Sequence, residues 1–224
     1  MILIEKIKYI VRKINTLAHS KKVSSFHDRL KGEYKLSNTP TILSSNCSAG
    51  LIYHSLGLRF MSPTINLTIP NQFFFKFLMN LKWYLSQKLV LKEMVDNNSY
   101  PNFKYPICFL GDIEIMFNHY RSFEDASKKW NERKKRVNFD NLYVIVSEDT
   151  FSDEQLKQLS CFQCKRIVIF TNKKRELDNC FQLFCRTKKP YVGSFANLTS
   201  NGFRVYEREF NYAAWLNGDE NYRL

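Results

Sequence analysis

Two short β-branched runs, LYVIVS (142 to 147) and KRIVIFT (165 to 171), are separated by the polar FSDEQLKQLSC, and no other feature constrains the fold of this chain more. Strands joined through a helix of that length, here started by Ser152, do not form a tight hairpin. They pair in parallel through a right-handed crossover. A chain built on such a unit is an α/β protein, and the expected architecture is a mixed, largely parallel sheet with helices on both faces. The 224 residues, 44% hydrophobic and 25% charged, suit one domain with a substantial core.

The other elements read around that unit. TPTILSS (39 to 45) is a second buried strand, and CSAGLIYHSLGL is a short helix stopped near Gly57, so strand, turn and helix follow one another. TINLTI (64 to 69) alternates as a strand does, and Pro70 opens NQFFFKFLMNLKWYLSQKL, whose apolar spacing predicts one helix of roughly 18 residues. YPICFLGDIEIMFNH (105 to 119) is a hairpin about Gly111-Asp112. Ser122, with Glu124 and Asp125 after it, marks the start of the basic helix containing SKKWNERKKR. Beyond Gly193 the expectation is a strand near Phe203 to Phe210 and a short helix at Tyr212 to Leu216. At the N-terminus, Leu3, Ile7, Ile10, Val11, Ile14 and Leu17 recur at helical spacing among Lys6, Lys8, Arg12 and Lys13. Residues 1–36 therefore read as a basic amphipathic helical segment before a single α/β domain, 37–224. Its apolar stripe fits either an anionic membrane surface, met through residues 1–20, or the core.

The formal charge of +13 points to an anionic partner: nucleic acid, an acidic membrane face, or a phosphorylated or acidic sugar. Nucleic acid is the least expected, because neither the aromatic signature of an RNA-recognition sheet nor a zinc-finger spacing is present. No apolar run approaches the length of a membrane span, and the first residues lack the features of a secretory signal. The expected location is the cytoplasm, with peripheral attachment to the inner face of a membrane as an extension of it. There the six cysteines would be free thiols.

Cys47 follows a strand and opens a helix, where free backbone N–H groups and the helix dipole favour a thiolate nucleophile. Its bland counterpart is a small buried side chain. His54 lies two helical turns beyond Cys47, too far for a direct pair. His119, at the end of the hairpin, is the candidate base, and Asp112 and Glu114, alternating in GDIEI, suit an acid and base pair, a divalent-metal site or ligands of sugar hydroxyls, or simply an exposed strand face. Trp130 within the run Lys128 to Arg136 combines stacking with positive charge, although such a run is usually a solvated face. Cys161, Cys164, Cys180 and Cys185 approach a four-thiolate spacing but lack the glycine-containing knuckle turns, so no metal is expected.

The blocks SSNCSAGLIYHSLGLRFMSPTINL, YPICFLGDIEIMFNHYRSFEDASKKWNERKKRVNFDNLYVIVS and KRIVIFTNK resemble an uncharacterised bacterial family associated with exopolysaccharide and capsule biosynthesis. The similarity covers roughly residues 38 to 217. Its most specific parts are Asn46-Cys47, Ser62-Pro63-Thr64, Gly111-Asp112-Ile113, His119-Tyr120, Trp130 with Arg133 and Arg136, and Asp140-Asn141. The family turn usually carries a second Asn before the cysteine and a Gly pair after it; here Ser45 and Ala49-Gly50 stand there. The resemblance implies a role on a surface-polysaccharide precursor, lipid-linked in the fuller form of the reading. It leaves the cofactor unspecified. Two classes follow. One is an enzyme transferring or hydrolysing a sugar or acyl group, with Cys47, His119 and Asp112 catalytic and Asn46, Ser62, Glu114, Trp130, Arg133 and Arg136 binding substrate. The other is a non-catalytic glycan- or membrane-binding accessory protein.

Overall fold

The computed structural model describes residues 9–11, 14, 17–97, 102–147, 151–171, 180–182 and 196–224. Its described strands are β1 (Thr41–Ser44), β2 (Leu89–Asp96), β3 (Lys104–Leu110), β4 (Ile113–Met116), β5 (Leu142–Ser147), β6 (Arg166–Thr171) and β7 (Cys180–Gln182). The described α-helices of known extent are α1 (Ser20–Glu33), α2 (Ser48–Ser55), α3 (Asn71–Met79), α4 (Leu81–Ser86), α5 (Phe123–Lys134), α6 (Asp153–Ser160) and α7 (Tyr212–Asn217). Strands β1, β5, β6 and β7 form a parallel sheet in that order, and β2, β3 and β4 form a separate antiparallel sheet. The expected α/β class holds, with the strands divided between two sheets.

The crossover unit forms as its spacing dictates. Ser152 caps α6 by accepting from the Gln155 N–H, while the Gln155 side chain returns to the Ser152 N–H. Alternation then sorts the apolar residues of β5 and β6 onto two faces. Tyr143, Ile145, Val168 and Phe170 face α1, α2 and α7; Val144, Val146, Ile167 and Ile169 face α3, α5, α6 and the antiparallel sheet. Continuous apolar runs of this kind are the signature of parallel strands covered on both faces.

Three expected elements differ. The helix after Pro70 breaks at Asn80 (φ −127°, ψ 38°) into α3 and α4, and the chain re-forms as β2 from Leu89. TINLTI makes no strand: Asn66 takes a left-handed φ of 59° that ends the alternation, leaving one bridge from Thr68 to Met116. Phe203 to Phe210 holds bridges and a 3-10 turn in place of a strand. The hairpin does turn at Gly111 (φ 62°), where a Cβ would lie 2.7 Å from the Trp83 ring.

The N-terminal stripe divides at His19. From Ser20 the segment packs on the sheet through α1, with Leu30 wholly buried. Before it, residues 9–11, 14, 17 and 18 are helical and Ile10, Val11, Ile14 and Leu17 are exposed, so these four do not pack on the core. Leu3 and Ile7 lie outside the described residues.

Segment 61–69 runs along the free side of β1. Thr41 Oγ1 donates to the Met61 carbonyl, the Ser44 N–H donates to Thr64 Oγ1 at 3.0 Å, and the Ile69 N–H donates to the Ser45 carbonyl. Tyr120 secures it: the phenol donates to the Ile65 carbonyl at 2.9 Å and accepts from Arg133 Nη1 at 2.6 Å, both buried. Tyr120→Phe leaves the carbonyl and the guanidinium short of a partner, and should lower stability by about 2 kcal/mol, read as a reduced denaturant midpoint at unchanged m-value.

Candidate functional site

The turn from β1 into α2 is built by short polar side chains. Ser44 Oγ donates to the Asn46 carbonyl at 2.6 Å and accepts from the Ala49 N–H at 3.2 Å; Asn46 Oδ1 accepts from the Ser48 N–H at 3.0 Å. Two of the N–H groups that open α2 are thereby capped from outside the helix. Cys47 occupies the N-cap with αR backbone angles, and its side chain caps nothing. Gly50 permits close approach: a Cβ there would lie 3.3 Å from Ile65 and 3.4 Å from Asn66 Oδ1. Asn66 is exposed, and its left-handed backbone is a local strain beside this turn.

Alternation also brings hydroxyls to this end of the sheet. Ser147 belongs to the β5 face that carries Tyr143 and Ile145, the face covered by α2. Ser44 registers with Ile145 in the last pair of β1 with β5, so Ser147 lies two residues farther toward the end of the sheet at which β1 turns into α2. Ser147 is 3% exposed and Ser48, the first residue of α2, 1%; neither hydroxyl has a hydrogen-bond partner among the described residues. Buried hydroxyls of this kind require an account. Arg204, half-buried and anchored through Nη1 to the Ala196 carbonyl, bears on Cys47 electrostatically.

Burial pushes the Cys47 thiol up to about 11, and the nearby Arg204 guanidinium offsets only part of this. The expected thiolate is therefore corrected to a neutral thiol, because desolvation of the anion outweighs the pull of one guanidinium and a short helix. His119 is exposed, yet desolvation by the atoms around it moves its imidazole below the ordinary histidine range. No contact among the described residues joins it to Cys47. Its neighbour Tyr120 approaches instead, close enough for Cys47 to be among the groups acting on its phenol.

Asp112 stays away. It sits in the exposed β3–β4 turn, accepting from Tyr84 at 2.7 Å and Lys76 at 3.0 Å, which hold its carboxyl below the ordinary range. The four residues of β4, about 13 Å of extended chain, separate it from the end that holds Tyr120. Glu114 is paired with Lys92 at 2.7 Å on the outer face of the antiparallel sheet. Trp130 is corrected from a stacking residue to core, 1% exposed against Phe77 and Phe117. Ser62 is buried on Thr64, Arg133 is buried on Tyr120 and over the Phe60 ring, and Arg136 donates to the Phe60 carbonyl. Ser62, Arg133 and Arg136 serve as scaffold for segment 60–69. Among the described residues no group of three or more His, Cys, Asp or Glu could hold a metal ion. Cys161 is exposed and Cys164 half-buried, while Cys185 and the side chain of Cys180 lie outside the description.

Several site residues carry no local sequence signal. Glu207, 4% exposed, accepts from His27 at 2.7 Å across 180 positions and from the Arg204 N–H at 2.6 Å. It holds the segment that presents Arg204. Ser147 ends an apolar run, where only the face of the finished sheet distinguishes it.

A family described as "Domain of unknown function (DUF1919)" matches residues 19–217, nearly the whole chain. The chain belongs to this family. An uncharacterised protein of Haemophilus influenzae is similar to it, 30% identical over 179 residues that cover 79% of this chain and 84% of that one. The region matched to DUF1919 contains Cys47, Ser48, Ser147, Arg204, His27 and Glu207, and begins just after the exposed N-terminal stripe.

Peptide-resolved iodoacetamide labelling checks the state of Cys47. Its rate should still climb about tenfold per pH unit at about pH 9, as expected for a thiol titrating near 11. A plateau above about pH 7 would show a stabilised thiolate.

Proposed function

We propose that this chain binds a phosphate-bearing precursor of a surface polysaccharide at the C-terminal edge of its parallel sheet. The charged group sits at the start of α2, and Cys47 is part of the wall. The observation that carries this reading is two buried hydroxyls, Ser48 at the start of α2 and Ser147 at the C-terminal end of β5, neither with a hydrogen-bond partner among the described residues, with the Arg204 guanidinium acting electrostatically on Cys47 between β1 and α2. Each of these favours an anion: hydroxyls donate to phosphate oxygens, the positive end of the α2 dipole attracts negative charge, and a guanidinium adds charge and a fork of donors. Ligands of open α/β sheets bind at this edge. The polysaccharide context comes from the likeness of the SSNCSAG, SPTINL and LGDIEIMFNHY blocks to the exopolysaccharide-associated family.

Binding is favoured over cysteine-dependent hydrolysis. A thiol nucleophile needs a base in contact or through one water, and among the described residues neither His119 nor Asp112 touches Cys47. A neutral thiol also lacks the reactivity that chemistry demands.

Calorimetric titration with pyrophosphate and with uridine diphosphate tests this. Saturable binding is expected, weakened about tenfold by Arg204→Gln and several-fold by Ser147→Ala, which removes a hydroxyl but no intramolecular bond. Cys47→Ala should bind as the parent does. Absence of binding, or equal binding by Arg204→Gln, would overturn the site; a loss of surface polysaccharide on Cys47→Ala complementation with binding intact would restore the nucleophile.

A further inference from the structure

The N-terminal helical residues present large aliphatic side chains to solvent. Ile10 is 54% exposed, Val11 49%, Ile14 59% and Leu17 73%. At 100° per residue, Ile10, Ile14 and Leu17 fall within an arc of about 60° and Val11 lies about 60° beyond its edge, so the four share a face about 120° wide. The next segment behaves differently: in α1, Leu30 is wholly buried against the sheet face. A stripe outside the region matched to the family is not needed to complete the common core, and its apolar atoms lie in water.

The flanks identify what covers it. Residues 1–22 contain Lys6, Lys8, Arg12, Lys13, Lys21 and Lys22 against the single acid Glu5. Lys21 and Lys22 are exposed, and among the described residues no ion pair holds either of them. A second copy would set this charge against its own like. An anionic headgroup layer meets it with opposite charge while the stripe enters the acyl boundary. No described helix is long and apolar enough to cross a membrane, so the geometry is that of a helix lying in the interface.

We propose that residues 9–22 dock this protein on the surface of an anionic bilayer, the stripe of Ile10, Val11, Ile14 and Leu17 buried among the lipids and Lys21 and Lys22 on their headgroups. The docking surface is separate from the anion site at Cys47. It would bring the sheet edge to precursors held in the membrane.

Vesicle flotation of the full chain, without nucleotide, tests the proposal. The chain should float with vesicles of three parts phosphatidylcholine to one part phosphatidylglycerol in about 0.05 M salt. It should bind phosphatidylcholine alone weakly and lose most binding in about 0.5 M salt. The double substitution Ile14→Glu with Leu17→Glu should weaken binding about tenfold or more at an unchanged melting temperature, since both side chains are exposed. Lys21→Gln with Lys22→Gln should weaken it roughly tenfold at low salt only. Equal flotation of parent and both variants would overturn the proposal. So would sedimentation showing a parent dimer that the Ile14→Glu, Leu17→Glu variant dissolves into monomers, because a second copy would then occupy the stripe.

Discussion

Strand β1 ends the parallel sheet, so the Ser44 amide on its open side has to find an acceptor other than a neighbouring strand. An unpaired row of amides there would be costly if buried and a template for aggregation if exposed. Thr64 Oγ1 supplies the acceptor, Ser62 Oγ supports Thr64, and the rest of the molecule holds that segment in place. Tyr120 at the end of the hairpin and Arg133 on α5 reach it from the opposite face, and Arg136 ties down Phe60. This strip of chain bridges the two sheets by hydrogen bonds, beside the apolar core they share. Residues that resemble a binding set are therefore spent on scaffold: the Arg133 guanidinium is buried on the Tyr120 phenol, and that of Arg136 is held on the Phe60 carbonyl.

With that strip fixed, the Cys47 turn has little freedom. Ile65 and Asn66 close on Gly50, and Ser44 caps the helix that the turn begins. The same closure desolvates Cys47. A helix start favours a thiolate only where water or fixed charge can also solvate it, and here burial dominates. What remains available at this end of the sheet is a group of donors lacking an acceptor, which is the inverse of a nucleophilic site and the natural complement of an anion.

Electrostatics is arranged in two tiers. Near the sheet edge a buried glutamate, Glu207, joins His27 on α1 to the backbone that carries Arg204, so a single guanidinium is presented by elements distant in sequence. Farther out, much of the +13 charge lies in Lys and Arg residues concentrated in positions 1–22 and in the α5 segment. The first tier is shielded from salt by burial; the second is a long-range field that ionic strength screens.

The sequence by itself determined the elements whose signals are local. The apolar runs of β5 and β6 and the polar helix between them admit only a parallel crossover. Ser122, Ser152 and Gly111 mark caps and a turn through their own side-chain and backbone chemistry, and the hairpin follows. The tertiary structure decided everything that depends on which faces meet. Trp130 reads as a stacking residue between lysines until the helix turns it inward against Phe77 and Phe117. Asp112 and His119 read as partners of Cys47 because all three sit at element ends, yet one short strand sends them to opposite ends of a hairpin. Glu207 gains its significance only from His27, 180 positions away, and Ser147 only from the face of the finished sheet on which it is buried. Period and capping are properties of a few consecutive residues, whereas a site is a property of the enclosed space, and its burial and polarity exist only after the chain has closed around it.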